Sequence, residues 1–253
     1  SAAETSQTVS GLLLALPLLA EDSEIVLTDE PVSRPYLDMT TAVMARHGVA
    51  VEAAPTGYRV PGGQLYRPAP EHSEPDWSAA AFWLALDAAQ KRRGRGGLHV
   101  PMGRPPYWQG DAAIMRYVNE LPEEIDISAT PDLLPPLALL AAVRPGVITR
   151  FTHAAFLRRK ESDRLAAVAG VLRALGVPVE EQPDGLTVTG TETLHGGNLD
   201  GCGDHRIAML AGCAAMLADG PVTLRGAETV AKSYPAFWRD MAALGGRWEV
   251  LET

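Results

Sequence analysis

A helix, strand, helix, strand pattern that returns four times along the chain restricts its fold more than any other feature of the sequence. In the first copy, residues 6–19 and 36–46 carry apolar side chains at helical spacing, 24–27 reads as a strand, and 49–52 with 58–60 reads as a closing hairpin. The second copy gives helices over 76–91 and 111–119 and strands over 98–101 and 124–127. In the third, a helix over 132–143 and a strand over 147–151 lead to a helix from Ser162 to Leu175, then strands over 177–180 and 186–189. The fourth has helices over 204–217 and 235–244, a strand over 222–225 and a strand around Trp248. Gly48-Val-Ala-Val-Glu52 and Gly176-Val-Pro-Val-Glu180 are near copies, and Gly245-Gly-Arg-Trp-Glu249 stands at the equivalent place. Each opens on a glycine suited to ending a helix.

The first helices begin at Ser6, Asp76, Asp132 and Asp204, so the second copy is the shortest, and what it lacks is the hairpin. The fourth ends after one strand, and its sheet is expected to be completed by a strand from elsewhere. Clusters of Pro and Gly at 55–63 and 68–75 mark the boundary after the first copy. The expected organisation is therefore α/β, with a one-unit domain over 1–64 and a three-unit domain over 65–253.

The net charge of −9 argues against general nucleic-acid binding and against an anionic membrane surface. The basic loop at 91–97 is short, lacks aromatic residues and reads as a solvated turn. No apolar run is long enough to span a membrane, and Cys202 and Cys213 form neither a zinc pattern nor a disulfide framework, so a reduced cytoplasmic protein is expected. Phosphate-binding and dinucleotide-binding glycine motifs are absent, which sets ATP and NAD aside.

Against that acidic background, Arg158, Arg159, Lys160, Glu161, Asp163 and Arg164 crowd four cations and two carboxylates around one helix start. Cations there oppose the helix dipole unless anions sit among them, so either the run pairs with itself or it holds an anionic ligand. Arg206, in the first turn of a very apolar helix, also needs a partner or a ligand; Asp204 could be that partner, with His205 a satisfied core histidine. Lys160, Arg164, Arg206 and Lys232 occupy comparable places in the third and fourth copies, and in a pseudo-symmetric array they would face one side. Together they would hold a ligand with several negative charges, with Asp132 and Glu161 as acid and base in that field. Simple capping accounts for Asp76.

Ser33-Arg-Pro-Tyr-Leu-Asp38, Thr130-Pro-Asp132, Leu157-Arg-Arg-Lys-Glu-Ser-Asp-Arg-Leu165, Gly203-Asp-His-Arg-Ile-Ala-Met209 and Ala231-Lys-Ser-Tyr-Pro235 resemble, in order, the motifs of the 5-enolpyruvylshikimate-3-phosphate synthases. The resemblance runs from about Thr5 to Gly246. It implies repeated β-α-β-α-β-β units of the enolpyruvyl transferase fold, an inside-out α/β barrel, here one complete lobe plus one unit of the other. The implied reaction is transfer of the enolpyruvyl group of phosphoenolpyruvate to the 5-hydroxyl of shikimate 3-phosphate, in aromatic amino acid biosynthesis, with no metal or organic cofactor.

By the same resemblance, Thr5, Ser6, Gln7, Ser33 and Tyr36 would contact shikimate 3-phosphate, and Asp132 would position and help deprotonate its 5-hydroxyl. Lys160 and Glu161 would serve proton transfer, and Arg164, Arg206 and Lys232 would clamp phosphoenolpyruvate with His205 beside them among the catalytic groups. Departures accompany the match. The first two units of the family's N-terminal lobe are missing, and Phe156 stands where the family has a polar residue. The chain alone is therefore expected to turn over negligibly, although the family enzyme would be a monomer at full length. Two other readings stay open: a UDP-N-acetylglucosamine enolpyruvyl transferase, which shares the fold but lacks two of these motifs, and a non-catalytic anion-binding remnant.

Overall fold

The computed structural model describes residues 5–70, 73–98, 100 and 108–251. The chain falls into two compact units: one holds residues 1–75, 103–110 and 128–130, and the other residues 76–102, 111–127 and 131–253.

In the first unit, α1 (Gln7–Ala15) continues as a 3-10 turn over Leu16–Leu18, because Pro17 has no N–H to extend the α ladder. Strand β1 (Ser23–Val26), helix α2 (Arg34–Arg46) and strands β2 (Glu52–Ala54) and β3 (Gly57–Val60) follow. The sheet order is β1-β3-β2, antiparallel throughout. Val9 and Leu13 of α1, Leu37 and Met44 of α2 and Ile25, Tyr58 and Val60 of the sheet form its core. The hairpin strand expected at 49–52 begins only at Glu52. The Gln64 amide donates to the Ala50 carbonyl at 3.0 Å and accepts from the Ala50 N–H at 2.7 Å, taking both groups that a neighbouring strand would have used.

The second unit opens with α3 (Trp77–Arg92), whose start is capped by the Asp76 carboxylate accepting from the Ala79 N–H at 3.0 Å, as expected. The expected strand at 98–101 lies largely outside the described residues. The helix expected from Asp111 starts as a 3-10 turn over Gly110–Ala113 and becomes α4 over Ile114–Asn119. Strand β4 (Glu124–Asp126) and the apolar helix α5 (Leu134–Ala142) precede β5 (Ile148–Thr152). Next come a 3-10 turn over Ala155–Arg159, α6 (Arg164–Ala174) and the hairpin of β6 (Val179–Gln182) and β7 (Gly185–Thr189). These strands form a sheet in the order β4-β5-β7-β6, parallel only at β4-β5.

The last repeat contains β8 (Gly197–Asp200), α7 (His205–Ala215), β9 (Val222–Arg225), a 3-10 turn over Ala227–Lys232 and α8 (Phe237–Ala243). Strand β8, unanticipated from a Gly-Gly-Asn stretch, pairs in parallel with β9. No strand forms around Trp248. That segment is held instead by the indole N–H of Trp248 on the Trp238 carbonyl at 2.9 Å and by contact between the two rings. Helix α5 is buried at every position and forms the centre of the unit, packed against α3, α6 and α7.

The basic loop after α3 is not simply solvated. Arg93 donates to the Leu217 carbonyl at 2.6 Å, and Arg95 to the Met216 carbonyl at 3.4 Å. Both guanidinium groups thus sit at the C-terminal end of α7, where cations complement the helix dipole. The opposite end of α7 carries His205 and Arg206.

Candidate active site

Three helix approaches of the second unit meet around one buried arginine. Asp163 caps α6, its carboxylate accepting from the Ala166 N–H at 3.1 Å, and this places Arg164 at the first helical position. Arg164 is 1% exposed, and its three nitrogens serve three different carboxylates. Nε donates to Asp204 at 3.0 Å, Nη1 to Asp132 at 2.9 Å and Nη2 to Glu161 at 2.8 Å. Glu161 accepts a second bond from Lys232 Nζ at 3.1 Å, and Asp132 a second from Arg206 Nη2 at 2.8 Å. The result is a continuous chain of alternating charge, Lys232–Glu161–Arg164–Asp132–Arg206, anchored from below by Asp204.

The repeat explains the convergence, and the details correct three expectations. The helix expected from Asp132 starts only at Leu134: Asp132 lies in a 3-10 turn over Pro131–Leu133, and its carboxylate bridges two guanidinium groups. Arg206 is answered by Asp132 rather than by Asp204. The fully buried Asp204 instead caps α7 through the Arg206 N–H at 2.9 Å and takes Ser162 Oγ at 3.1 Å with Arg164. Lys232 ends a 3-10 turn and lies well short of α8.

His205 is not a satisfied core histidine. It is 5% exposed, and its Nδ1 has no hydrogen-bond partner among the described residues, Asp204 being 3.8 Å away. Burial, followed by the neighbouring Arg206 charge, pushes the imidazole below its ordinary value, so it is neutral at pH 7.

Lys160 is the one cation of the group without a carboxylate in hydrogen-bonding range among the described residues. Its Nζ lies 5.5 Å above the Phe156 ring. Burial pushes its ammonium below the usual lysine range, opposed by Asp132 and Glu161 and reinforced by Arg164 and Arg206. Burial also pushes the Glu161 carboxyl up. Its own backbone N–H, the Lys232 hydrogen bond and the charges of Arg164 and Lys232 outweigh that and hold it at about 2.

A folded-state value held down in this way contributes stability above the ordinary carboxyl value, lost as pH falls toward about 2. Discounted for the partial exposure of Glu161, the contribution is about 1–2 kcal/mol. Glu161→Gln is therefore expected to flatten the pH dependence of unfolding between about pH 4.5 and 2 relative to the parent chain. Parallel curves for the two proteins would contradict the pairing.

In the first unit, Ser6 and Ser33 are both buried. Thr5 Oγ1 accepts from the Gln7 N–H at 3.2 Å where α1 starts. Ser33 precedes α2 in the left-handed region, at φ 58°, an uncommon conformation for a residue with a side chain, and its carbonyl accepts from the Tyr36 N–H at 3.0 Å. The structure thus gathers Thr5 and Gln7 at one helix start and Ser33 and Tyr36 at another.

Sequence reasoning named Ser162 and Arg158 but gave neither a role of its own. Ser162 could have been found from its place between Glu161 and the cap Asp163; the pair of Arg158 with Asp163 is the self-pairing that the charge run allowed, whereas nothing local signalled its contacts with Glu181, Gln182 and Pro183. A cavity of about 480 Å³ beside α3 and α8, lined by Ala80, Trp83, Tyr234, Leu244 and others, includes none of the clustered charges. Among the described residues, no group of His, Cys, Asp and Glu could hold a metal ion.

Solved enolpyruvyl transferases share this fold. The EPSP synthase from Acinetobacter baumannii superposes with a TM-score of 0.77 at 22% identity, covering 98% of this chain and 62% of that one. The enolpyruvyl transferase NikO from Streptomyces tendae superposes with 0.67 at 20% identity, covering 96% and 60%. The family model of EPSP synthase (3-phosphoshikimate 1-carboxyvinyltransferase) matches residues 1–93 and 100–241, and the chain belongs to that family. Curated 3-phosphoshikimate 1-carboxyvinyltransferases of Clostridium kluyveri and Halobacterium salinarum are 38% and 39% identical over 97% and 95% of this chain. The chain spans 62% and 61% of their respective lengths.

Proposed function

We propose that the chain is the greater part of an enzyme that transfers the enolpyruvyl group of phosphoenolpyruvate to the 5-hydroxyl of shikimate 3-phosphate. In this reading, residues 1–64 are one unit of the first lobe and residues 65–253 the three units of the second. The supporting observation is the cluster in which the cations of Lys160, Arg164, Arg206 and Lys232 outnumber the carboxylates of Asp132, Glu161 and Asp204 by one. A surplus cation in a half-buried site favours a phosphorylated carboxylate over a neutral ligand.

The reaction needs a proton delivered to the methylene carbon, a developing cationic centre kept among anions, a hydroxyl proton removed and a phosphate released toward cations. Glu161, held as a carboxylate beside Lys232, and Lys160, with its ammonium destabilised by burial, are the groups suited to moving these protons. Asp132 is suited to orienting the acceptor hydroxyl. Arg206 and Lys232 would bind the phosphoenolpyruvate charges, and Arg164 would hold the carboxylates in register while sharing that task. His205, neutral with a free Nδ1, would gain a hydrogen bond from the ligand. Thr5, Ser6, Gln7, Ser33 and Tyr36 would bind shikimate 3-phosphate. The protein would act in the cytoplasm as a monomer, without a cofactor.

Calorimetric titration tests this. Shikimate 3-phosphate is expected to bind and to strengthen the subsequent binding of phosphoenolpyruvate, whereas phosphate release by this chain is expected to be negligible. Heat from a uridine nucleotide sugar, with none from shikimate 3-phosphate, would overturn the assignment.

A further inference from the structure

We propose that Arg158 is the positioning residue of the Lys160–Glu161 segment, fastening the 3-10 turn before it to the β6-β7 hairpin. Its guanidinium meets four acceptors from two stretches of chain, the start of α6 and the β6-β7 hairpin. Nη1 donates to Asp163 at 2.9 Å and to Glu181 at 2.8 Å, Nη2 to the Gln182 carbonyl at 2.6 Å, and Nε to the Pro183 carbonyl at 3.0 Å. Glu181 and Gln182 belong to β6, and Pro183 lies in the turn to β7. Asp163 is the cap of α6, so one side chain ties the hairpin to both sides of the segment that carries Lys160 and Glu161. The backbone adds a parallel tie, the Ala154 N–H on the Asp184 carbonyl at 2.8 Å.

Arg158 bonds no member of the charge cluster, so its influence on that cluster runs through backbone placement. Between Arg158 and the buried Arg164, the Lys160 ammonium lies over Phe156, Glu161 is held by Arg164 and Lys232, and Ser162 donates to Asp204, so Arg158 fixes the end of the segment that these contacts leave to the hairpin. Exposed ion pairs contribute little to stability, and Arg158, Asp163 and Glu181 are each partly solvated, so their combined effect falls on geometry more than on unfolding. A planar fork can serve these four separated acceptors at once, and an ammonium cannot.

The proposal rests on the reading of Lys160 as a site residue, and the test separates the two. Acetylation rates of individual lysines in the intact chain, followed by mass spectrometry across pH, report how each amine is held. Lys160 faces Asp132, Glu161, Arg164 and Arg206, whose balance with burial keeps its ammonium below the ordinary range. In the parent chain the acetylation of Lys160, relative to its own high-pH rate, is expected to be further advanced at pH 8 than that of solvated lysines.

Arg158→Ala is expected to slow Lys160 about threefold as the segment relaxes toward water, with Arg158→Lys nearly as slow. Lys232 is expected to speed up in both, as its bond to Glu161 loosens. Hydrogen exchange in α5 should be unchanged, which distinguishes displacement of the segment from general loosening. Parent-like rates at Lys160 and Lys232 in both variants would overturn the proposal while leaving the site intact. An ordinary pH dependence of Lys160 acetylation in the parent chain would remove Lys160 from the site, and the proposal with it.

Discussion

Replacing Arg164 with alanine is expected to destabilise the second unit by about 3–5 kcal/mol. The reason is what remains behind. Arg164 is almost wholly buried and satisfies Asp132, Glu161 and the fully buried Asp204. Its removal leaves Asp204 inside the protein with a hydroxyl and a cap N–H but no counter-charge, and Asp132 and Glu161 each lose one of two cations. A well-packed apolar substitute would not avoid this, because all three carboxylates would persist; Arg164→Met is expected to recover only part of the loss. Since the chain forms two units, hydrogen exchange at the buried amides of α5, α6 and α7 is a better measure than a single melting midpoint. A loss below about 1 kcal/mol would mean that water reaches the cluster freely.

The second large effect is expected at another buried side chain of the same unit. Trp77 opens α3 and is completely buried. Trp77→Ala removes the largest fully buried side chain among the described residues, at the start of a helix that packs on α5, and the cavity left behind should cost about 3–5 kcal/mol. Trp77→Phe should cost clearly less, because more of the volume is kept. The exchange pattern separates this variant from Arg164→Ala. Losing Trp77 should free α3 and α5 amides first, whereas losing Arg164 should free the starts of α6 and α7. Equal costs for Trp77→Phe and Trp77→Ala would show that packing volume is not what the residue contributes.

The repeat was legible because its punctuation is local. Gly48, Gly176 and Gly245 follow the second helices with φ of 80°, 84° and 94°, a region in which side chains are strained, so these glycines mark helix ends in any context. The gathering of Lys160, Glu161, Arg164, Arg206 and Lys232 followed from the same periodicity, since corresponding places in a repeat come together.

What escaped was decided by distant partners. The start of β2 depends on Gln64, fourteen residues beyond Ala50, and β8 owes its existence to pairing with β9 rather than to the propensities of Gly197 and Asn198. The identity of the groups answering Arg206 also depended on folding. Asp204 is its sequence neighbour, yet that carboxylate turns to the helix N–H and to Arg164, leaving Asp132 to reach Arg206 across 74 positions of sequence.

The alternating chain of charges around Arg164 sets a condition on whatever occupies that place. Arg164 and Arg206 already rest against an internal carboxylate, so an arriving anion enters by exchange, releasing Glu161 or Asp132 as it takes their cations. Chloride, offering a single charged point, gains too little to displace two such groups at once. A molecule with charge at both ends can do so, and in doing so it frees a base beside itself.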